Sequence, residues 1–162
     1  MQGSLFSYGL LTALAIALLV AAFTDLRRRQ IDNKLTAAIA VTAPLFWWAS
    51  SLSLLDVAWQ LAIAAVSLVI LAGLFAVRWM GGGDVKLLTA LALWIKPALF
   101  AQLIIVMSLI GLLLTVGFGA WHIARRQNDR VAIPYGIAIA CAGLFVLANS
   151  YFPALRNGVA AG

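Results

Sequence analysis

Ser4 to Lys34 reads SLFSYGLLTALAIALLVAAFTDLRRRQIDNK, and this stretch decides the fold class. From Ser4 to Phe23 it is almost entirely apolar, which matches the roughly 20 residues an α-helix needs to cross about 30 Å of hydrocarbon. Arg27, Arg28 and Arg29 follow it, and no basic residue precedes it. That polarity is the reverse of a cleaved secretory signal, so the segment reads as a retained membrane span.

The rest of the chain repeats the pattern. Of 162 residues, 65% are apolar and 10% charged, which excludes an ordinary soluble domain. The expected fold is all-α: a polytopic integral membrane protein of about six transmembrane helices, forming a single domain over 1–162. After Ser4–Phe23, spans are expected at about Leu35–Ser51, Asp56–Val77, Ala98–Ile123 and Val131–Tyr151. A short fourth helix, about Val85–Ile95, follows a connection from Arg78 to Asp84 and ends at Lys96-Pro97. It reads as partly re-entrant or thinly embedded.

Charge supplies an orientation. Arg27, Arg28, Arg29, Lys34, Arg78, Lys86, Arg125, Arg126 and Arg130, nine of the eleven basic residues, fall on alternate connections at one face; only Lys96 and Arg156 fall at the other. By the positive-inside rule the first face is cytoplasmic, and both termini are then external. Trp47, Trp48, Trp59, Trp94 and Tyr151 fall near the external interface, Trp79 and Trp121 near the internal one. The net charge of +6 is spread over short juxtamembrane loops, which suits anionic lipid and gives no reason to invoke nucleic acid. Cys141 and His122 alone build no zinc site, so neither metal nor cofactor is expected. Cys141 is expected in the core.

The acidic residues carry the functional signal. All five are aspartates. A short oxygen-bearing side chain satisfies free amides at a helix start, so Asp32 or Asn33 can cap the second span, Asp56 the third, and Asn128 or Asp129 the sixth. Asp25 has no such role, because it stands at the C-terminal end of its helix, where the helix dipole disfavours negative charge. A pair with Arg28 or Arg29 is its structural alternative.

Gly81-Gly82-Gly83-Asp84-Val85-Lys86-Leu87 is the second unusual stretch. Asp84 stands where an N-cap of the fourth helix would stand. Three consecutive glycines are a poor helix connection unless the backbone adopts unusual dihedrals or approaches something closely. Lys86 lies at the wrong end of the helix dipole, and either snorkels to headgroups or holds a nearby carboxylate or substrate group. Between Asp25 and Asp84 the chain crosses the membrane twice, so both carboxylates return to the cytoplasmic face. Two aspartates brought together from different helices are the parts of an aspartic protease.

The chain resembles the type IV prepilin leader peptidases, membrane aspartic proteases marked by a Gly-x-Gly-Asp motif. Three elements carry the resemblance in the right order: Asp25 ahead of Ile31-Asp32-Asn33, then Gly81-Gly82-Gly83-Asp84-Val85-Lys86-Leu87, then Ile133-Pro134-Tyr135-Gly136. It departs where Asp32 replaces a usual proline, and where Ile137 stands in place of a frequent second proline. The Asp32 change adds charge near the site, or serves as the cap of the second span.

The resemblance implies catalytic Asp25 and Asp84, supported by Gly81, Gly83, Lys86, Asn33, Pro134 and Gly136. It implies cleavage after a glycine, at the cytoplasmic face of a bacterial inner membrane, of the basic leader of a prepilin or pseudopilin whose apolar helix stays in the lipid. Ala13, Ala17 and Ala21 offer a small-residue surface for that helix. Lacking the cysteine-containing insertion of the long, methyltransferring enzymes, the chain resembles the compact peptidase-only type associated with Flp or Tad pili. A small proton-coupled transporter or channel, or a non-catalytic membrane subunit of a pilus or secretion assembly, stays open as an alternative.

Overall fold

The computed structural model describes residues 5–124 and 135–151, with side chains described to residue 121 and from residue 135. Expectations resting on His122, Asn128, Asp129, Val131 and Pro134 lie outside the described side chains. Among the described residues six helices follow in the order expected: α1 (Leu5–Arg28), α2 (Asn33–Ala49), α3 (Leu54–Ala76), α4 (Gly82–Ala92), α5 (Pro97–Ala124) and α6 (Tyr135–Tyr151). Three of them, α1, α3 and α5, are long and apolar enough to cross a membrane. The 17-residue helices α2 and α6 reach about 26 Å at 1.5 Å per residue.

The helix α4 is the short fourth helix that the sequence predicts. Its 11 residues cover only about 16 Å, too little to span. Seven of its residues are buried, and it packs on α2, α3, α5 and α6. Val85, Leu87, Leu88, Ala90, Leu91 and Ala92 fill its inward faces, while Gly82, Lys86 and Thr89, at three-and-four spacing, form its one less buried face. Its C-terminal carbonyls, which no helical amide can reach, are taken by ring groups: Trp47 Nε1 donates to Leu93 O at 2.7 Å, and Tyr151 Oη to Trp94 O at 3.5 Å. Trp94 is buried, stacks on Phe46 with centroids 5.1 Å apart, and donates to Ile39 O at 2.8 Å. It therefore locks α4 to α2.

Burial along α1 follows Ser7, Leu11, Leu14, Leu18, Ala21 and Asp25, the three-and-four spacing of one helix face. Phe6, Ile16, Leu19 and Phe23 look outward. Asp25 thus ends the inward stripe. Of the small residues expected to receive a substrate helix, Ala21 is buried inside the bundle while Ala13 is exposed. Opposite α1, a Cβ on Gly143 would come within 2.8 Å of Leu18 Cδ1, and one on Gly136 within 2.7 Å of Asp25 Oδ2. Leu18 and Asp25 are seven residues apart, as are Gly136 and Gly143 in the reverse sense. The two helices therefore pack antiparallel and close at both points.

Helix ends account for the remaining departures. The first helix continues through Thr24 and Asp25 to Arg28, beyond the expected end at Phe23. Asp32 caps α2 by accepting from the Lys34 amide at 2.9 Å, as expected. The cap of α3 is Ser53, not Asp56: Asp56 completes a capping box from the fourth residue of that motif. The glycine triplet takes no positive φ, so its role is close approach and not unusual dihedrals. Among the described residues the left-handed ones are Arg29, Ser51 and Arg78, each just past a helix end. At Arg78 the amide bonds to Phe75 O and that of Trp79 to Leu74 O, a Schellman termination made without glycine. Cys141 is exposed on the outward face of α6, contrary to its expected core position, because Ala140 and Ala142 take the inward-facing sites on either side.

Candidate functional site

The first carboxylate enters the site on the inward stripe of α1. Asp25 is 6% exposed, and its Oδ2 accepts a hydrogen bond from the Gly136 amide at 2.8 Å. The partner is a backbone N–H in the first turn of α6, where helical amides lack an internal acceptor and the dipole is positive. An arginine partner on its own turn, the alternative for Asp25, is not what it engages. Arg27 instead lies over the Phe23 ring, 4.9 Å from its centroid.

The second carboxylate comes from α4. The helix begins at Gly82 with Gly81 as N-cap, so Asp84 sits in the first turn and not at the cap as expected. It is 8% exposed, and its carboxyl accepts from the Gly81 amide. Burial, reinforced by the negative charge of Asp25, pushes its pKa up to about 6. The two carboxyls, from helices separated by two others in sequence, therefore lie within electrostatic reach of each other at one end of the bundle.

Comparison with Asp56 separates a cap from something more. Both aspartates hold the same position relative to their N-caps, and both reach back to it. Asp56 does so while exposed, with Ser53 Oγ at 2.7 Å from its Oδ2. Capping therefore needs no burial. Enclosing Asp84 beside a second carboxylate is unfavourable, and the capping geometry leaves it unexplained.

Glycines make the enclosure possible. A Cβ on Gly81 would lie 2.9 Å from Asp84 Oδ2, and one on Gly83 3.1 Å from Ile31 Cβ. Ile31 is buried against this glycine, which brings the α1–α2 turn onto the start of α4. Alongside, Lys86 Nζ donates to Asn33 Oδ1 at 2.8 Å, and among the described residues it pairs with no carboxylate. The three motif segments thus converge: Asp25 with Gly136, Ile31 with Gly83, Asn33 with Lys86.

Comparison with known families gives a match over most of the chain. The profile of the type IV leader peptidase family matches residues 12–116, well over half of the chain. The chain belongs to the type IV leader peptidase family. The match covers Asp25, Asn33, the glycine triplet, Asp84 and Lys86, and stops before Gly136. No curated protein and no solved structure gives a significant match. Membership in the family makes the protein a membrane-bound peptidase with a prepilin-type substrate.

Sequence reasoning about this leader peptidase named Gly136 and quoted Ile31 but not what they touch, and it missed Leu18. All three owe their roles to packing between distant segments, and only the seven-residue spacing of Gly136 and Gly143 hints at it. A cavity of about 630 Å³, lined by Phe75, Ala76, Arg78, Trp79, Met80 and Gly81, adjoins the site through Gly81. Among the described residues, no group of three or more His, Cys, Asp or Glu is placed to hold a metal ion.

Proposed function

We propose that this leader peptidase is an aspartic endopeptidase, with Asp25 and Asp84 as its catalytic pair. The observation that carries the reading is the burial of both carboxyls at one end of the bundle, close enough for one charge to raise the proton affinity of the other. Two such groups share one proton. The ionised member takes a proton from water as the water oxygen attacks the scissile carbonyl; the protonated member donates its hydrogen to the carbonyl oxygen. Collapse of the tetrahedral intermediate breaks the C–N bond, and the leaving nitrogen takes a proton from the dyad.

The substrate is a prepilin or pseudopilin precursor, cut after a glycine between a short basic leader and a membrane-resident apolar helix. Six basic residues, Arg27, Arg28, Arg29, Lys34, Arg78 and Lys86, lie at or next to the ends of the helices that meet at the site, which supports a cytoplasmic orientation there. At the opposite end Lys96 acts electrostatically on Asp56. The adjoining cavity offers room for extended peptide beside Gly81. In this reading the enzyme is peptidase-only, of the Flp or Tad type, in a bacterial inner membrane.

A synthetic precursor with a basic leader, a glycine and an apolar helix, incubated with purified protein in detergent, tests this. Mass spectrometry should find one cut, after the glycine. An intact precursor, or cleavage abolished by chelators and untouched by either aspartate substitution, contradicts the assignment.

A further inference from the structure

The two carboxyls are not equivalent, and the difference is geometric. Asp25 receives an amide hydrogen from α6, another element of the bundle, at 2.8 Å, and that amide opens a helix whose dipole favours a negative charge. Gly136 also has no Cβ, and one would lie within 2.7 to 2.9 Å of three Asp25 atoms, so only glycine lets the amide reach the carboxyl. Among the described residues, Asp84 has a donor from its own cap only, and it lies buried in the first turn of α4.

The surrounding charges do not reverse this asymmetry. At this end of the bundle the described titratable groups are Asp84 and Lys86 on α4, Lys34 on α2 with Asp32 at its cap, Tyr135 on α6, Arg27 and Arg28 on α1, and Arg29 and Arg78 just past helix ends; Asp32, Arg29 and Arg78 are exposed. Lys86 is engaged by Asn33, Arg27 lies over Phe23, and Lys34 and Arg28 are exposed.

Resting on the aspartic-dyad reading above, we infer that Gly136 is a positioning residue that fixes the division of labour: its amide holds Asp25 as the ionised, water-activating member, and Asp84 carries the shared proton. Gly136 touches no substrate in this role. It acts through Asp25.

Isotope-edited infrared spectroscopy with 13C-labelled aspartate at pH 5 tests the assignment on otherwise unmodified protein. One protonated-carboxyl band should survive in Asp25→Asn and vanish in Asp84→Asn. Survival in Asp84→Asn, or the same result in both variants, overturns the inference, whereas failure of the parent to cleave any precursor would overturn the dyad reading instead. Gly136→Ala and Gly136→Pro complete the test, the second removing the N–H in a first turn that tolerates proline. Displacing a reacting group by about 1 Å costs on the order of 100-fold. Both variants should lower kcat by roughly that factor with KM retained, and the acidic limb of the pH profile should move upward. A fall in rate with an unmoved acidic limb reduces Gly136 to a space-filling role.

Discussion

Lys86 and Asn33 stand 53 residues apart and are joined at 2.8 Å, Nζ donating to Oδ1. The bond ties the turn after α1, which delivers Asp25, to the first turn of α4, which delivers Asp84. Both partners are exposed, so their bond adds little to stability, about 0–1 kcal/mol. Its value is alignment.

A double-mutant cycle tests that alignment. Lys86→Ala and Asn33→Ala should each lower kcat about 3- to 10-fold while leaving the melting temperature in detergent nearly unchanged, a modest effect beside loss of a general acid or base. The double variant should be no slower than the worse single one. Independent, multiplying losses would show that the two residues act separately.

Glycines at the site and glycines elsewhere should respond oppositely. Gly83→Ala drives a methyl to 3.1 Å from Ile31 Cβ, and overpacking of this kind costs about 1–3 kcal/mol. Gly73, in the interior of α3, has nothing within 4 Å of an added Cβ, and alanine there gains up to about 1 kcal/mol of helix propensity. Thermal unfolding in one detergent should move down for Gly83→Ala and stay or rise for Gly73→Ala.

Arg78 should yield stability when replaced. Its φ of 61° is left-handed, a conformation that disfavours a side chain by roughly 1–2 kcal/mol. Arg78→Gly keeps the Schellman termination and should raise the unfolding midpoint; a lowered midpoint would mean the arginine holds something the strain offsets.

The proton on Asp84 gives a pH window. Its affinity is raised from an ordinary 3.8 to about 6, so between those values the folded state binds more proton than the unfolded one. Stability contributed by this group therefore falls as pH rises from about 4 to about 6, and then levels. In the same sense kcat/KM, which reports the free enzyme, should decline on the alkaline side with a midpoint near 6. Asp25→Asn removes the neighbouring charge and should lower the titration midpoint of Asp84, read by carboxyl infrared bands.

Particular residues show what was legible in the sequence. The apolar segments, the break at Lys96-Pro97 and the cap at Asp32 are local, and local signals suffice to read them. Asp25 stood out because no local role accounts for it. Its partner did not, since a backbone amide 111 residues away leaves no side-chain trace. The reading of Asp56 as a cap failed narrowly, because Ser53 and Asp56 both fit a helix start and only geometry orders them. Cys141 stands outside its expected core for one reason: in lipid both faces of a helix are apolar, so composition cannot tell core from surface.

The central claim is that two aspartates from separate helices act together on one peptide bond. Turnover of a leader-bearing precursor by purified parent protein, Asp25→Asn and Asp84→Asn, each confirmed folded by its unfolding midpoint, measures it most directly. The account predicts one defined cleavage by the parent and at least about a 100-fold loss of kcat in each variant, the scale of a lost general acid or base. Cleavage at parental rate in either folded variant would contradict it.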